Sequence, residues 1–299
     1  MDRQNLPFIS VIIPTYNRGK PLIVTLNSLL VQNYPRFEII VVDQSNRKYP
    51  EKENFFKTLR PKIKYFKLSI ANAAAARNLG VKKAKGNILL FLDDDAIADF
   101  NLIKAHQEAY MKQNVGAIAG RVITTGQKIE KSKRNVGRIS PFGKFSDGFS
   151  SQIRQEVTSV ITCNASWKKN VFEKIDGFDE NFSGPIREDS DLSLKTIKAG
   201  YKITFEPKAL VVHSLAKSGG FRKTEGRIKW YRGFFKSEAY FCLKWISWYW
   251  WPLFLLMRWQ WFLRCMFGRE VSFLSISTPW LGIYEGWKAY QKFKNENRS

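Results

Sequence analysis

Gly86-Asn87-Ile88-Leu89-Leu90-Phe91-Leu92-Asp93-Asp94-Asp95 is the stretch that decides the fold. An apolar run, Ile88 to Leu92, ends abruptly in three carboxylates. Periodicity alone does not separate a buried strand from a buried helix in so short a run. Its length and the flanking Gly86 favour a strand. Unbroken apolarity marks a strand covered on both faces, as in a parallel sheet. Ligands of such sheets bind beyond the carboxyl ends of the strands, so Asp93, Asp94 and Asp95 stand where chemistry is expected. Like charges this close raise one another's pKa unless a positive group neutralises them. A divalent metal does that, and carboxylate oxygens suit Mg2+ or Mn2+. The competing reading is a helix N-terminus, where aspartate caps free N–H groups. Three in a row exceed what capping needs.

Working outward, Phe8 to Ile13 is a β-branched strand expected to stop at Pro14, which has no N–H for a central ladder. A polar loop, Thr15 to Gly19, follows. Leu22, Leu26, Leu29 and Leu30 then share one helical face. Glu38 to Val42 is a second strand ending in an acid, Asp43. Strand, helix and strand in this order argue a parallel sheet. Glu51 to Leu59 reads as a helix, Ile63 to Leu68 as a third strand, and Ala71 to Gly80 as an alanine-rich helix closed by Gly80. Arg77 is a polar group on that tightly packing helix.

Beyond the aspartates, a helix over Phe100 to Met111 and a strand over Val115 to Val122 are expected. Thr124 to Gln152 is polar, basic and glycine-containing, and reads as a mobile segment near the site. Val157 to Thr162 reads as a strand, Asn164 to Trp167 as a turn, and Lys169 to Ile175 as a short helix. After Pro185 another helix begins, with Glu188 and Asp189 in its first turn, where capping is the alternative role. Tyr201 to Phe205 and Ala209 to Val212 read as two short strands, the second ending at His213.

The 299 residues fit one large domain or two unequal ones. Forty-nine basic against twenty-six acidic side chains give a net charge of +23, which implies an anionic partner. Cys163, Cys242 and Cys265 are far apart and show neither a disulfide framework nor zinc spacing. Met1 to Pro7 is polar, without the apolar run of a signal peptide. Most of the ten tryptophans follow residue 229. Ile246 to Met257 is uncharged but shorter than the roughly 18 to 20 residues that span a bilayer. Tryptophan and tyrosine prefer the membrane interface, and Lys244, Arg258, Arg264 and Arg269 suit anionic lipid heads. The tail is expected to form one or two helices lying on the membrane.

These constellations resemble a family 2 glycosyltransferase of the GT-A fold over roughly Phe8 to His213. Ser10 to Arg18 is similar to the family's first strand and loop, Val41-Val42-Asp43 to its second strand with the aspartate that holds the base. Ala76 to Gly80 resembles the helix beside the nucleotide, and Asp93-Asp94-Asp95 the DxD element. Asn164, Lys168, Lys169, Phe172 and Gly177 to Glu180 resemble the segment before the acceptor-side helix, Glu188-Asp189 the acidic pair with the catalytic base, and His213 a histidine that reaches the metal.

The resemblance implies an α/β fold with a central, mostly parallel sheet in residues 1–229 and a helical, membrane-associating region in 230–299. It implies inverting transfer from a nucleoside diphosphate sugar to an acceptor hydroxyl, with Mn2+ or Mg2+ as cofactor. Pro14, Thr15, Asn17, Arg18, Asp43, Arg77, Asp93 and Asp94 would line the donor nucleotide. Asp95, Asp93 and His213 would hold the metal. Asn164 and Trp167 would face the acceptor. Asp189 would be the base, with Glu188 as second candidate. Arg227-Ile228-Lys229-Trp230 matches only loosely the QxxRW element of processive synthases, so a single-sugar transferase fits better. The acceptor implied is a lipid-linked or envelope glycan at the cytoplasmic face of the membrane. Three readings compete. A sugar nucleotidyltransferase needs a glycine-rich basic loop where Pro14 to Gly19 stands. A silent, membrane-attached scaffold would not hydrolyse donor with manganese. Nucleic-acid binding has the charge but no motif.

Overall fold

Two runs of β-branched and aliphatic residues bury completely and set the sheet. In the computed structural model, which describes residues 6–58, 63–111, 114–216, 218–267 and 273–296, they form β1 (Ile9–Thr15) and β2 (Phe37–Asp43). With β3 (Ile63–Lys67) and β4 (Ile88–Leu92) they pair in parallel, in the order β3-β2-β1-β4. The connections are α1 (Lys20–Leu30), α2 (Pro50–Thr58) and α3 (Ala73–Lys83). The decisive apolar run is therefore an interior strand, buried along its whole length.

β1 does not stop at Pro14. It continues to Thr15, with Pro14 opposite Val42. β4 pairs with β1 only from Ile9 to Ile12, so on that side a missing N–H at Pro14 leaves no ladder bond unmade. Nor does Gly80 close α3, which runs on to Lys83. A Cβ at Gly80 would lie 2.4 Å from Ile12 Cγ2, so glycine there lets the helix press on β1. The start of α3 is capped by Asn72, whose Oδ1 accepts from Ala74 and Ala75 N–H at 3.0 and 3.2 Å; such a cap contributes about 1 kcal/mol.

The second half of the sheet is mixed. After β5 (Ala96–Ala98) and α4 (Leu102–Ala109) come β6 (Val115–Thr124), a small hairpin of β7 (Arg138–Ile139) and β8 (Phe145–Ser146), and β9 (Gln155–Val157). Asn164 to Trp167 is not a turn: it belongs to β10 (Asn164–Lys168), antiparallel between β4 and β6. Then follow α5 (Lys169–Lys174), α6 (Glu188–Lys198) and β11 (Lys202–His213). β11 is one strand where two were expected, because a register shift between Glu206 and Leu210 interrupts its pattern while it stays paired with β6. Thr124 to Gln152 is also built into the fold. Val136, Phe149 and Ser151 are buried, Phe149 packs edge-on to Phe205 at 6.0 Å, and its carbonyl accepts from Val122 N–H at 2.9 Å. Isolated anchors at wide spacing leave no periodic signal, hence the loop-like sequence.

The tail comprises α7 (Gly220–Thr224), α8 (Gly226–Trp245), a 3-10 turn at Trp248–Trp250, α9 (Trp251–Leu256), α10 (Trp259–Met266) and α11 (Phe273–Glu296). The expected boundary at 229/230 falls inside α8. α11 lies close along α8: Cβ atoms at Gly282 and Gly286 would stand 2.6 Å from the carbonyls of Arg232 and Lys236. Phe182 from the sheet-bearing part joins Tyr240, Phe241, Ile246 and Phe254 in one buried cluster. Among the described residues no helix is long and apolar enough to cross a membrane.

Candidate active site

The ends of β1, β4 and β11 converge, and each delivers polar side chains to the same place. Asp94 accepts from Thr15 Oγ1 at 2.6 Å and pairs with Arg18 Nε at 3.5 Å. Asp95 pairs with Arg18 Nη1 at 3.1 Å and with His213 Nε2 at 3.0 Å. Asp93 is the most open of the three and pairs with Arg77 Nη2 at 3.2 Å. Nη1 of the same arginine holds Glu188 Oε1 at 3.1 Å. Arg77 thus joins the β4 aspartates to the first turn of α6, and its guanidinium lies 5.5 Å over the Phe178 ring.

Burial and charge separate the carboxylates. Burial pushes Asp94 up to about 7, with Arg18 and the Thr15 hydroxyl opposing it and the neighbouring aspartates adding to it. Burial also acts on Asp95, but His213, Arg18 and the Ala216 N–H outweigh it and hold the group down at about 2. Burial, and then the charge of Glu188, push Asp189 well above the ordinary aspartate range. One Asp189 oxygen accepts from Ser190 N–H at 2.7 Å. Among the described residues, Glu188 Oε2 and Asn17 Nδ2 are buried without a hydrogen-bond partner. Such atoms in a polar site mark places for a ligand to bind.

Asp93, Asp95 and His213 each offer one ligand atom within 4.8 Å of the others. Two carboxylates and an imidazole fit Mn2+ or Mg2+, with Mn2+ the better match for the nitrogen donor. The structure thus brings Asp93, Asp95, His213, Arg18, Arg77 and the Glu188–Asp189 pair into one locality.

Three expected contacts are corrected. Trp167 has no exposed surface; its indole N–H donates to Thr196 Oγ1 at 3.0 Å and its ring packs edge-on to Phe91, 5.8 Å between centroids. It is core, because β10 threads the sheet interior. Asn164, also fully buried, donates to the carbonyls of Arg121 and Ala209 and meets His106 at 2.8 Å. Neither side chain has surface for an acceptor. Asp43 is enclosed too. Oδ2 takes Lys52 Nζ at 2.6 Å, Lys67 Nζ at 3.1 Å and the Tyr65 hydroxyl, and Oδ1 takes Ser45 N–H at 2.7 Å, and the carboxylate has no exposed surface for a base to meet.

Sequence reasoning missed the return of the chain after His213. Ser214 N–H donates to Asp95 O at 3.0 Å and Ala216 N–H to Asp95 Oδ2 at 2.9 Å, so the segment following β11 folds onto the β4 terminus. Farther on, Gly220 N–H donates to Tyr16 O at 2.8 Å and the Tyr16 hydroxyl to Glu225. The only sequence signal was the glycine-rich composition there.

The profile of glycosyl transferase family 2 matches residues 10–176, more than half of the chain. The chain belongs to that family. A second profile, the N-terminal domain of galactosyltransferase, matches residues 143–215, which include Glu188, Asp189 and His213. Glycosyltransferase AglE of Haloferax volcanii is 27% identical over 232 residues, 75% of this chain and 72% of AglE. The O-antigen chain rhamnosyltransferase RfbN of Salmonella typhimurium is 27% identical over 212 residues, 69% of this chain and 66% of RfbN. A glycosyltransferase of Rickettsia bellii is 32% identical over 169 residues, and there the match spans only 24% of the relative's length. Among solved structures, GalNAc-T7 with UDP, GalNAc and Mn2+ aligns with a TM-score of 0.62 at 17% identity, over 80% of this chain and 50% of that one. The mannosyltransferase PcManGT of Pyrobaculum calidifontis, in complex with GDP-Man and Mn2+, aligns with a TM-score of 0.58 at 18% identity, over 98% and 77%. The fold of this family 2 glycosyltransferase is GT-A, with the expected parallel strands leading to the site.

Proposed function

We propose that this glycosyltransferase moves a single sugar, with inversion, from a nucleoside diphosphate sugar to the hydroxyl of a lipid-linked or envelope glycan. The observation that carries the reading is Arg77, which ties Asp93, on the metal-candidate side, to Glu188 on the α6 side. A donor and an acceptor subsite would then adjoin across one buried guanidinium. Thr15, Asn17 and Arg18 would contact the donor, and Arg18 and Arg77 would supply positive charge for its phosphates. Asp93, Asp95 and His213 would hold the divalent ion, which neutralises charge on a departing diphosphate. Asp189 takes the proton of the acceptor hydroxyl; the oxygen bonds to the anomeric carbon as the bond from that carbon to the nucleoside diphosphate breaks on the opposite face. Burial and the Glu188 charge raise the proton affinity of Asp189 above that of an ordinary aspartate, the direction a general base needs. Glu188, held by Arg77, is less free to do it. The ligands named for PcManGT and GalNAc-T7 support a nucleotide-sugar donor and Mn2+, and the role named for RfbN supports an envelope glycan.

Peripheral attachment at the cytoplasmic face of the membrane belongs to the same reading. Trp248, Tyr249, Leu255, Leu256, Trp259 and Phe267 are exposed on the tail, with exposed Arg264 among them. Lys244 and Arg258 do not serve there, because both are buried in ion pairs. Arg269, expected beside them, lies outside the described residues.

The test is release of nucleoside diphosphate from UDP-glucose, UDP-galactose, GDP-mannose and dTDP-rhamnose against membrane extract, with and without Mn2+. Asp95→Asn is expected to abolish Mn2+-dependent nucleotide binding, and Asp189→Asn to lower kcat at least 100-fold while nucleotide still binds. Full turnover by Asp189→Asn would remove the base assignment.

A further inference from the structure

The carboxylates of α6 are held from the tail by a buried ionic cluster. Arg187, the residue before Glu188, is in the left-handed region at φ 80°. A non-glycine residue stays there only where its surroundings impose it. Here the imposition is visible. Arg187 Nε and Nη2 grip Glu238 of α8 at 2.9 and 3.1 Å, and its guanidinium lies 4.6 Å from the Phe241 ring centre. Glu238 also takes Arg258 Nε at 3.0 Å. Both arginines donate to the Gly143 carbonyl, at 3.1 and 2.8 Å. Arg187, Glu238 and Arg258 are all buried. Glu238 and its two arginines thus bind four chain segments together: α8 through the carboxylate, the start of α6 and the junction of α9 and α10 through the arginines it pairs with, and the hairpin loop through the Gly143 carbonyl that both arginines share.

A second tie grips the other end of the same turn. Lys244 of α8 sits between Asp179 and Asp191 at 2.7 Å each, and the Trp245 indole N–H donates to Asp191 at 2.7 Å. Glu188 and Asp189 therefore lie on a short segment fastened to α8 before and after them.

We propose that Glu238 is a positioning residue for the α6 carboxylates, so that the tail completes the geometry for transfer in addition to any role at a membrane. Glu238 acts through Arg187 and touches no substrate. The inference rests on the reading of Glu188 and Asp189 as the proton-accepting pair.

The test compares Glu238→Gln, which keeps the shape and removes the charge, with the conservative Glu238→Asp, in the full chain. Expected for Glu238→Gln is a 10- to 100-fold fall in kcat, with Mn2+–nucleoside diphosphate affinity within twofold of the parent. Amide exchange at residues 188–191 should accelerate by more than exchange in β1 and β4, which reports only the global loss of stability. Glu238→Asp should recover part of the rate. Combined with Asp189→Asn, Glu238→Gln should lower kcat no further, since groups acting as one unit are not additive. A merely structural residue would weaken nucleotide binding and speed exchange in β1 and β4 as much as at residues 188–191, which would overturn the proposal. Unchanged kcat and unchanged exchange in Glu238→Gln would also overturn it, leaving the base reading intact. If Asp189→Asn and Glu188→Gln both turn over fully, the base reading falls and this inference with it.

Discussion

Replacing Asp43 by asparagine separates two uses of one carboxylate. As a base-binding group, its loss would weaken nucleotide binding and leave the fold alone. The structure makes the opposite claim. Asp43 has no exposed surface, and the side chain of its partner Lys52 is 3% exposed. Breaking one side of a buried pair leaves an uncompensated charge and costs about 3–5 kcal/mol. Lys67 adds little, because its side chain is 58% exposed and solvent screens the pair. Asparagine keeps the shape and can still accept from Ser45 N–H, so the cost falls mainly on stranded Lys52. Urea denaturation should show a midpoint shift matching about 3–5 kcal/mol at unchanged slope, and the melting temperature should fall on the order of 5–10 °C. Nucleotide affinity, measured by calorimetry below the new transition, should stay within a few-fold. The double variant with Lys52→Met should regain part of the loss, since no lone charge remains. Acid gives an independent check. Burial pushes the Asp43 pKa up, but Lys52, Ser45 and Tyr65 more than reverse this, leaving it well below the ordinary aspartate value of 3.8. A depressed pKa means stabilisation that is fully present above the unfolded value and is lost as pH falls through the folded one. Between pH 5 and pH 2 the parent should lose more stability than Asp43→Asn. Equal stability at pH 7, with nucleotide affinity down 30-fold or more, would refute the structural reading.

Two further outcomes are expected. Trp167→Phe removes the donor to Thr196 and part of a fully buried ring, so unfolding should become easier by about 1–3 kcal/mol while kcat and KM in the transfer assay stay put; a selective KM effect on acceptor would return Trp167 to the site. Flotation with vesicles containing phosphatidylglycerol should be lost when Trp248, Leu256 and Trp259, all exposed, are changed together to serine, with transfer to a water-soluble acceptor retained. Undiminished flotation would show that this face is not what meets the membrane.

Much of the parallel half was legible because its signals are local. Val11 to Ile13, Ile39 to Val42 and Ile88 to Leu92 are unbroken apolar runs, and a run buried on both faces needs no partner to be recognised. The acids and arginines at their ends followed from where such strands point. The mixed half was not legible in that way. Asn164 to Lys168 alternates polar and apolar residues like a surface segment, yet it is an interior strand whose polar atoms are satisfied by His106, Arg121 and Ala209. Only partners 40 or more residues distant make it a strand.

The sequence by itself determined the family, the parallel strands and the identity of the charged groups at their ends, because hydrophobic continuity and motif order are properties of neighbouring residues. The tertiary structure decided which of those charges remain open. Asp43 and Asp93 both follow apolar strands and look alike in sequence. Lys52, Lys67 and Tyr65 enclose Asp43, while Arg77 leaves Asp93 partly exposed. Lys244 and Arg258 had the flanks of lipid-binding residues until Asp179, Asp191 and Glu238 buried them. A charge's role follows from the counter-charges folding brings to it, and these come from distant parts of the chain.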